Sequence, residues 1–228
     1  MNKGLIIFAR EPLPGKVKTR LALDLGDQGA ADLYAAMLAD VLEQAASLDQ
    51  VQLLLFWSLE TGNMPSYPIP HLQMCEQHGT NLGERMAAAF ETAFNSGIES
   101  CCIIGSDSPD LPADYIRQAF DFLEQGEADA VFGPAEDGGY YLLGLRRCWQ
   151  GLFRDIPWST AEVLEASLKR TDQLGLRSAL LPAWYDLDDL NDLLRLLGSP
   201  EQSAPRTREV ACTLMQDRKA SQPLKPHI

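Results

Sequence analysis

Four cations, Arg10, Lys16, Lys18 and Arg20, fall within eleven positions of the stretch "FAREPLPGKVKTRL" (Phe8 to Leu21). The stretch follows a short apolar run, "GLIIFA", and is punctuated by Pro12, Pro14 and Gly15. Lysine offers phosphate a point charge and arginine a planar fork of donors, so cations of both kinds suit a di- or triphosphate. Neither common phosphate motif is present. The P-loop needs serine or threonine where Val17 follows Lys16, and no G-x-G-x-x-G follows the first apolar run. A solvated surface loop accounts for the same charges without a ligand. Placement favours the phosphate reading, because open α/β sheets bind ligands at loops leaving the carboxyl ends of strands.

An acidic complement lies in "IIGSDSPDLP" (Ile103 to Pro112), where Asp107 ends an apolar run that Pro109 and Pro112 stop from continuing. A carboxylate there suits a hard divalent cation, which prefers oxygen ligands. Such a cation would reconcile Asp107 with a phosphate-bearing substrate. A turn-capping aspartate is the other reading, and the default one for Asp110 and Asp114. In "WYDLDDLNDLL", Asp186 and Asp188 alternate along an extended segment and point the same way, whereas Asp189 and Asp192 fit a helix cap and first turn. If the segment returns to the centre of the sheet, one of the alternating pair completes a metal site opposite Asp107. In "GPAEDGGYYLLG", Gly138 and Gly139 permit positive φ or close approach to a ligand, and Glu136 and Asp137 offer acceptors for substrate hydroxyls. D-G-G is equally an ordinary turn. Ser159 and Glu162 in "WSTAEVL" fit a capping box. His71, His78 and His227 form no ligand spacing.

Strands and helices must position these groups. "GLIIFA" (Gly4 to Ala9), "VQLLLFW" (Val51 to Trp57), "HLQMCE" (His71 to Glu76), "CCIIGS" (Cys101 to Ser106) and "DAVFGP" (Asp129 to Pro134) are short apolar runs of the kind buried on both faces of a parallel sheet. "GGYYLLGL" and "RSALLP" add two later strands. Between them, "AADLYAAMLADVLEQAAS" is rich in good helix formers. "LGERMAAAFETAFNSG" places Leu82, Met86, Phe90, Ala93 and Phe94 on one face and is closed by Gly97. "PADYIRQAFDFLEQG" starts with Pro112 in its first turn and stops before Gly126. The alternation predicts an α/β layered fold with right-handed crossovers. Residues 1–198 form one domain in this reading, and 199–228 a tail or terminal helix.

The 228 residues carry a formal net charge of -13, which argues against a nucleic-acid polymer as partner while leaving room for a small anion in a local basic pocket. Five cysteines without a C-x-x-C pair form neither a disulfide framework nor a zinc signature, and Cys101 and Cys102 read as core thiols. The first apolar run is too short for a signal-peptide core, and no segment could span a membrane, so a cytoplasmic protein is expected.

Taken in order, "GKVKTRL", "QHGTNLGERM", "GSDSPDLP", "GPAEDGGYYLLG", "DIPWST" and "YDLDDLNDL" resemble a bacterial family of small GT-A-like glycosyltransferase proteins, the radical-SAM/selenodomain-associated transferases. The resemblance covers most of Leu5 to Leu197. More distantly, "KVKTRL" and Asp107 are similar to 2-phospholactate guanylyltransferase and other members of the nucleotide-diphospho-sugar transferase superfamily. It implies a GT-A fold, three layers of α/β/α around a mostly parallel mixed sheet, with a nucleotide in the amino-terminal half and Mg2+ or Mn2+ as cofactor. On this resemblance Arg10, Lys16, Lys18 and Arg20 line the nucleotide phosphates, and Gln77, Asn81 and Gly83 lie near the nucleotide. Asp107 and Asp188 are the implied metal ligands, Gly138 and Gly139 border the acceptor pocket with Asp137, and catalysis falls to Lys18, Asp107 and Asp137. "SDS" stands where glycosyltransferases commonly have D-x-D. The expected activity is a metal-dependent transferase moving a nucleotidyl group from an NTP to a small phosphorylated acceptor. Glycosyl transfer from a nucleoside-diphospho-sugar and non-catalytic nucleotide binding are the alternatives.

Overall fold

Alternation of core side chains organises the molecule. Along β1 (Lys3–Arg10), Leu5, Ile7 and Ala9 enter one hydrophobic cluster and Ile6 enters another. β4 (Ser100–Ile104) repeats the pattern, with Cys102 and Ile104 on the first side and Cys101 and Ile103 on the second. Such strands are buried on both faces, as their continuous apolar runs require. Both cysteines are buried, free thiols whose ionisation is pushed up by burial.

The structure, a computed structural model, describes residues 2–61, 67–199 and 203–221. Its remaining strands are β2 (Val51–Ser58), β3 (Gln73–Glu76), β5 (Ala130–Pro134), β6 (Tyr140–Leu145) and β7 (Ser178–Leu180). Among the described residues they form one seven-stranded sheet in the order β3-β2-β1-β4-β6-β5-β7. β6 runs antiparallel to both neighbours, and every other pairing is parallel. Helices α1 (Thr19–Ala46) and α3 (Ala113–Glu124) supply the first cluster. Helices α2 (Leu82–Asn95) and α4 (Val163–Gln173) cover the opposite face. The result is the three-layer α/β/α arrangement with a mostly parallel mixed sheet expected above.

A third cluster joins Leu21, Leu33 and Met37 of α1 to Leu193 and Leu196 of α5 (Leu190–Gly198) and Ala211 of α6 (Pro205–Ser221). Buried Asp40 of α1 accepts from Thr207 N and Thr207 Oγ1, each at 2.7 Å, and from Arg206 N at 3.2 Å. It thus satisfies donors at the start of α6 that the helix leaves unpaired. Residues 200–202 and 222–228 of the expected tail, His227 included, lie outside the described residues.

Several local expectations are corrected. The strand read from His71 starts at Gln73, because His71 sits in the left-handed region at φ 60. Pro112 is the N-cap of α3 and not its first turn. Ser159 has φ 65 and caps nothing; α4 begins at Val163, and Thr160 Oγ1 accepts from Glu162 N at 3.2 Å instead. Asp189, by contrast, caps α5 in a full capping box with Asp192. Among the described residues no helix is long and apolar enough to cross a membrane.

Candidate functional site

The basic loop leaves β1 at Arg10 and is tied down from three sides. Val17, 4% exposed, packs with Ala31 and Tyr34 of α1 and so pins the loop between Lys16 and Lys18. The buried Glu11 carboxylate accepts from Glu60 N, Thr61 N and Thr61 Oγ1, which joins the loop to the end of β2. The Thr61 hydroxyl, more than any other contact, holds that carboxyl below its ordinary value. Tyr34 OH accepts from Arg10 N at 2.9 Å and lies 2.8 Å from Ser106 Oγ, linking β1, α1 and the turn after β4.

Lys18 then turns into α1 in the left-handed region (φ 47, ψ 46). A non-glycine residue there costs roughly 1 kcal/mol or more. Its ammonium lies 2.6 Å from Asp107 Oδ1 and 2.8 Å from Asp188 Oδ1. Burial opposes charge on Lys18 and is the largest influence, but the two carboxylates outweigh it and the lysine stays protonated well above its ordinary value. At Asp107 burial again disfavours charge, while Lys18 and then Arg10 hold the carboxyl below the usual range.

Asp188 arrives by a long route. After β7, at the edge of the sheet, the chain crosses back towards β4. Leu181 N donates to Phe132 O, Trp184 N to Pro134 O and Leu187 N to Asp107 O, at 2.8–3.0 Å. Buried Asp110 accepts from Tyr185 OH at 2.7 Å and from Trp184 Nε1 at 3.3 Å, so it anchors this crossing strap instead of capping α3. Asp186 accepts from Ser108 Oγ at 2.8 Å. Burial chiefly, and then the charges of Asp107 and Asp137, push its carboxyl up to about 6.

A cleft of about 530 Å³ opens over the carboxyl ends of β1 and β4. Of the residues singled out in the sequence, Arg10, Lys16, Lys18, Arg20, Gln77, Asp107 and Asp188 line it together. Gln77 is fixed there by Nε2, which donates to Ala9 O at 3.2 Å and Phe56 O at 2.9 Å. Asn81, Gly83, Asp137, Gly138 and Gly139 are not among its walls. Asn81 caps α2 by accepting from Glu84 N at 3.0 Å. A Cβ on Gly83 would lie 2.4 Å from the Trp158 indole, so this glycine serves packing. Asp137 accepts from Gly139 N at 2.8 Å, and Gly138, at φ 92, packs on the backbone of Ala161.

Arg85, one turn into α2, lines the cleft and was missed, as were Tyr34, Ser106 and the paired Tyr140 and Tyr141. Arg85 had a signal, since it lies in "LGERM" beside residues already flagged. Tyr34 had none, because it sits inside an apolar helical stripe. Among the described residues no group of three or more His, Cys, Asp or Glu side chains is arranged to hold a metal ion. Two carboxylate oxygens nevertheless converge on a single cationic atom, and oxygen donors of that kind fit a hard divalent cation.

No curated protein sequence matches the chain. A protein from Desulfovibrio desulfuricans G20, provisionally assigned as a nucleotide-diphospho-sugar transferase, is 32% identical over 96% of both chains, with a TM-score of 0.85. A cytidylyltransferase from Leptospira borgpetersenii shares the fold at 13% identity and TM-score 0.55 over the full length of both chains. A mannosyltransferase from Pyrobaculum calidifontis, solved with GDP-Man and Mn2+, shares it at 13% identity and TM-score 0.51, over 98% of this chain and 76% of its own. Residues 28–160 match the family described as "Uncharacterized protein conserved in bacteria (DUF2064)". That match spans more than half of the sequence, and the chain therefore belongs to the DUF2064 family, built on a nucleotide-diphospho-sugar transferase fold.

Proposed function

We propose that the protein is a transferase acting on a nucleotide substrate, and that it moves a nucleotidyl group from an NTP to a small phosphorylated acceptor. One observation carries this reading: Arg10, Lys16, Lys18, Arg20 and Arg85 share a cleft with Asp107 and Asp188 at the carboxyl ends of the central strands. Phe8, Leu82, Met86 and Ile103 give the same cleft an apolar wall of the kind that takes a nucleoside. The resemblance to the radical-SAM/selenodomain-associated transferases and the name given to the 32% identical protein both support a nucleotide donor.

In the reaction an acceptor phosphate oxygen attacks the α-phosphorus, and pyrophosphate leaves with the electrons of the broken P–O bond. Such chemistry is mainly positioning and electrostatics, so the chain needs no nucleophile of its own. The loop cations and Arg85 bind the phosphates and stabilise the charge that moves onto the leaving group. Asp107 and Asp188 would hold a divalent cation, which when bound supplies further neutralisation of phosphate charge. Tyr34 and Ser106 fix the backbone from which Arg10 and Asp107 project.

The second reading is glycosyl transfer from a nucleoside-diphospho-sugar, favoured by the name of the D. desulfuricans protein. Asp137, the base that reading assigns to an acceptor hydroxyl, lies outside the walls of the cleft, so the acceptor would have to extend beyond them to reach it. A thermal-shift panel of NTPs and nucleotide-sugars, with and without Mg2+ or Mn2+, separates the two, since a ligand of the native state raises its melting temperature. A selective NTP shift, followed by pyrophosphate release with phosphorylated acceptors, is the expected result. A shift confined to a nucleotide-sugar moves the assignment to glycosyl transfer. Metal-independent binding without turnover marks a non-catalytic nucleotide-binding protein, and no shift with any nucleotide overturns the proposal.

A further inference from the structure

Asp107 and Asp188 come from separate parts of the chain, one from the turn after β4 and one from the strap after β7, and meet at the ammonium of Lys18. Nζ stands 2.6 Å from one carboxylate and 2.8 Å from the other. The lysine side chain is 4% exposed, whereas the two carboxylates are 48% and 45% exposed and face the cleft. Lysine thus fills the point between two oxygens that would also be offered to a divalent cation. Mg2+ needs its oxygens at about 2.0–2.1 Å, so it and an ammonium cannot share that point.

We propose that Lys18 is an exchangeable counter-ion. In the metal-free protein its ammonium holds the two carboxylates together. A divalent cation takes its place, and the released lysine turns to the nucleotide phosphates. This deepens the transferase reading and rests on it. The local geometry permits the exchange without backbone movement, because Val17 is locked against α1 on one side of Lys18 and α1 begins on the other. Only the four-carbon stem must swing, and Lys18 itself borders a cleft of about 530 Å³ into which it can move. Metal and nucleotide then bind with positive coupling, each helping the other by the same factor. Metal alone must displace the lysine with no phosphate to receive it.

The test is a titration of Mn2+ alone, followed by the electron paramagnetic resonance of the free ion, into wild type, Lys18→Gln and Arg20→Gln. Arg20 is the control for a general charge effect, since its Nη1 lies 3.9 Å from Asp188 Oδ2 without bridging the pair. Lys18→Gln is expected to bind Mn2+ at least about tenfold more tightly than wild type, within the usual range of site coupling, and Arg20→Gln less than about threefold more tightly. Equal gains in the two variants, or none at Lys18→Gln, overturn the proposal. Should Lys18→Gln fail to fold by circular dichroism, wild type supplies an independent measurement. Acylation of Lys18 by a small amine reagent, read by peptide mass spectrometry, should accelerate at least about fivefold when Mg2+ is added, as its competitor frees the amine. An unchanged rate overturns the exchange. Nucleotide binding that persists without any metal effect on Lys18 would leave the transferase reading standing while removing this one. Exchange without any nucleotide binding would remove the transferase reading and with it the lysine's turn to phosphate, leaving only a metal-for-lysine swap.

Discussion

At the scale of single residues, Asp186 is a carboxyl whose surroundings work against its charge. Burial, and then Asp107 and Asp137, disfavour its charge; the Ser108 hydroxyl and Lys18 favour it, and the outcome is a carboxyl pushed up to about 6. Between about pH 4 and about pH 6 the folded protein keeps a proton that the unfolded chain has lost. Stability therefore falls as pH rises through that window, and the penalty is complete above it. In metal-free buffer, Asp186→Asn should gain about 1–3 kcal/mol at pH 8 relative to its effect at pH 4, since each pKa unit is worth about 1.4 kcal/mol. Urea melts of both proteins at the two pH values would show it, and a pH-independent difference would contradict the assignment. From sequence, the alternation of Asp186 and Asp188 indicated a shared direction, and both do reach the surroundings of Asp107. The division between them was not readable, because Ser108 and Lys18, which distinguish them, lie 78 and 170 positions away in the chain.

At the scale of elements, α6 depends on one buried carboxylate. Asp40→Ala removes acceptors from two backbone amides and a hydroxyl at the start of that helix. It should cost about 1–3 kcal/mol, as expected for loss of a cap together with stranded buried donors. Circular dichroism melts would measure the loss, and limited proteolysis should open the chain first near residue 205. The central strands were legible because burial on both faces leaves a continuous apolar run, which needs no knowledge of partners, whereas the edge strands β3 and β7 are partly exposed along their length. α1 was legible only from Ala30 onward. Its first turns precede Gly26, where φ 74 and ψ 161 interrupt the helix, and their composition reads as part of the basic loop. The docking of α6 was hidden for a different reason: Asp40 reads as an ordinary helix-surface acid until Thr207, 167 positions later, is folded against it.

At the scale of the whole molecule, a formal charge of -13 surrounds a cleft that gathers five cations. The distant field repels an anionic nucleotide and the near field attracts it, so salt weakens both influences at once. Association of a nucleotide should then change by less than about threefold as ionic strength rises from about 0.01 M to about 0.15 M, where the Debye length contracts from about 30 Å to about 8 Å. Stopped-flow measurement of the association rate would check this, and a steep fall with salt would mean that the loop cations dominate at long range. The strap that returns from β7 carries a further consequence for how the site opens. Its Leu187 amide is held by Asp107 O at 2.8 Å, so the backbone proton there reports whether the two halves of the cleft are together. Excursions that part the sheet edge from the centre must release that proton to solvent. A ligand gripping both sides would lengthen its deuterium exchange lifetime, turning one amide into a clock for the opening of the entire site.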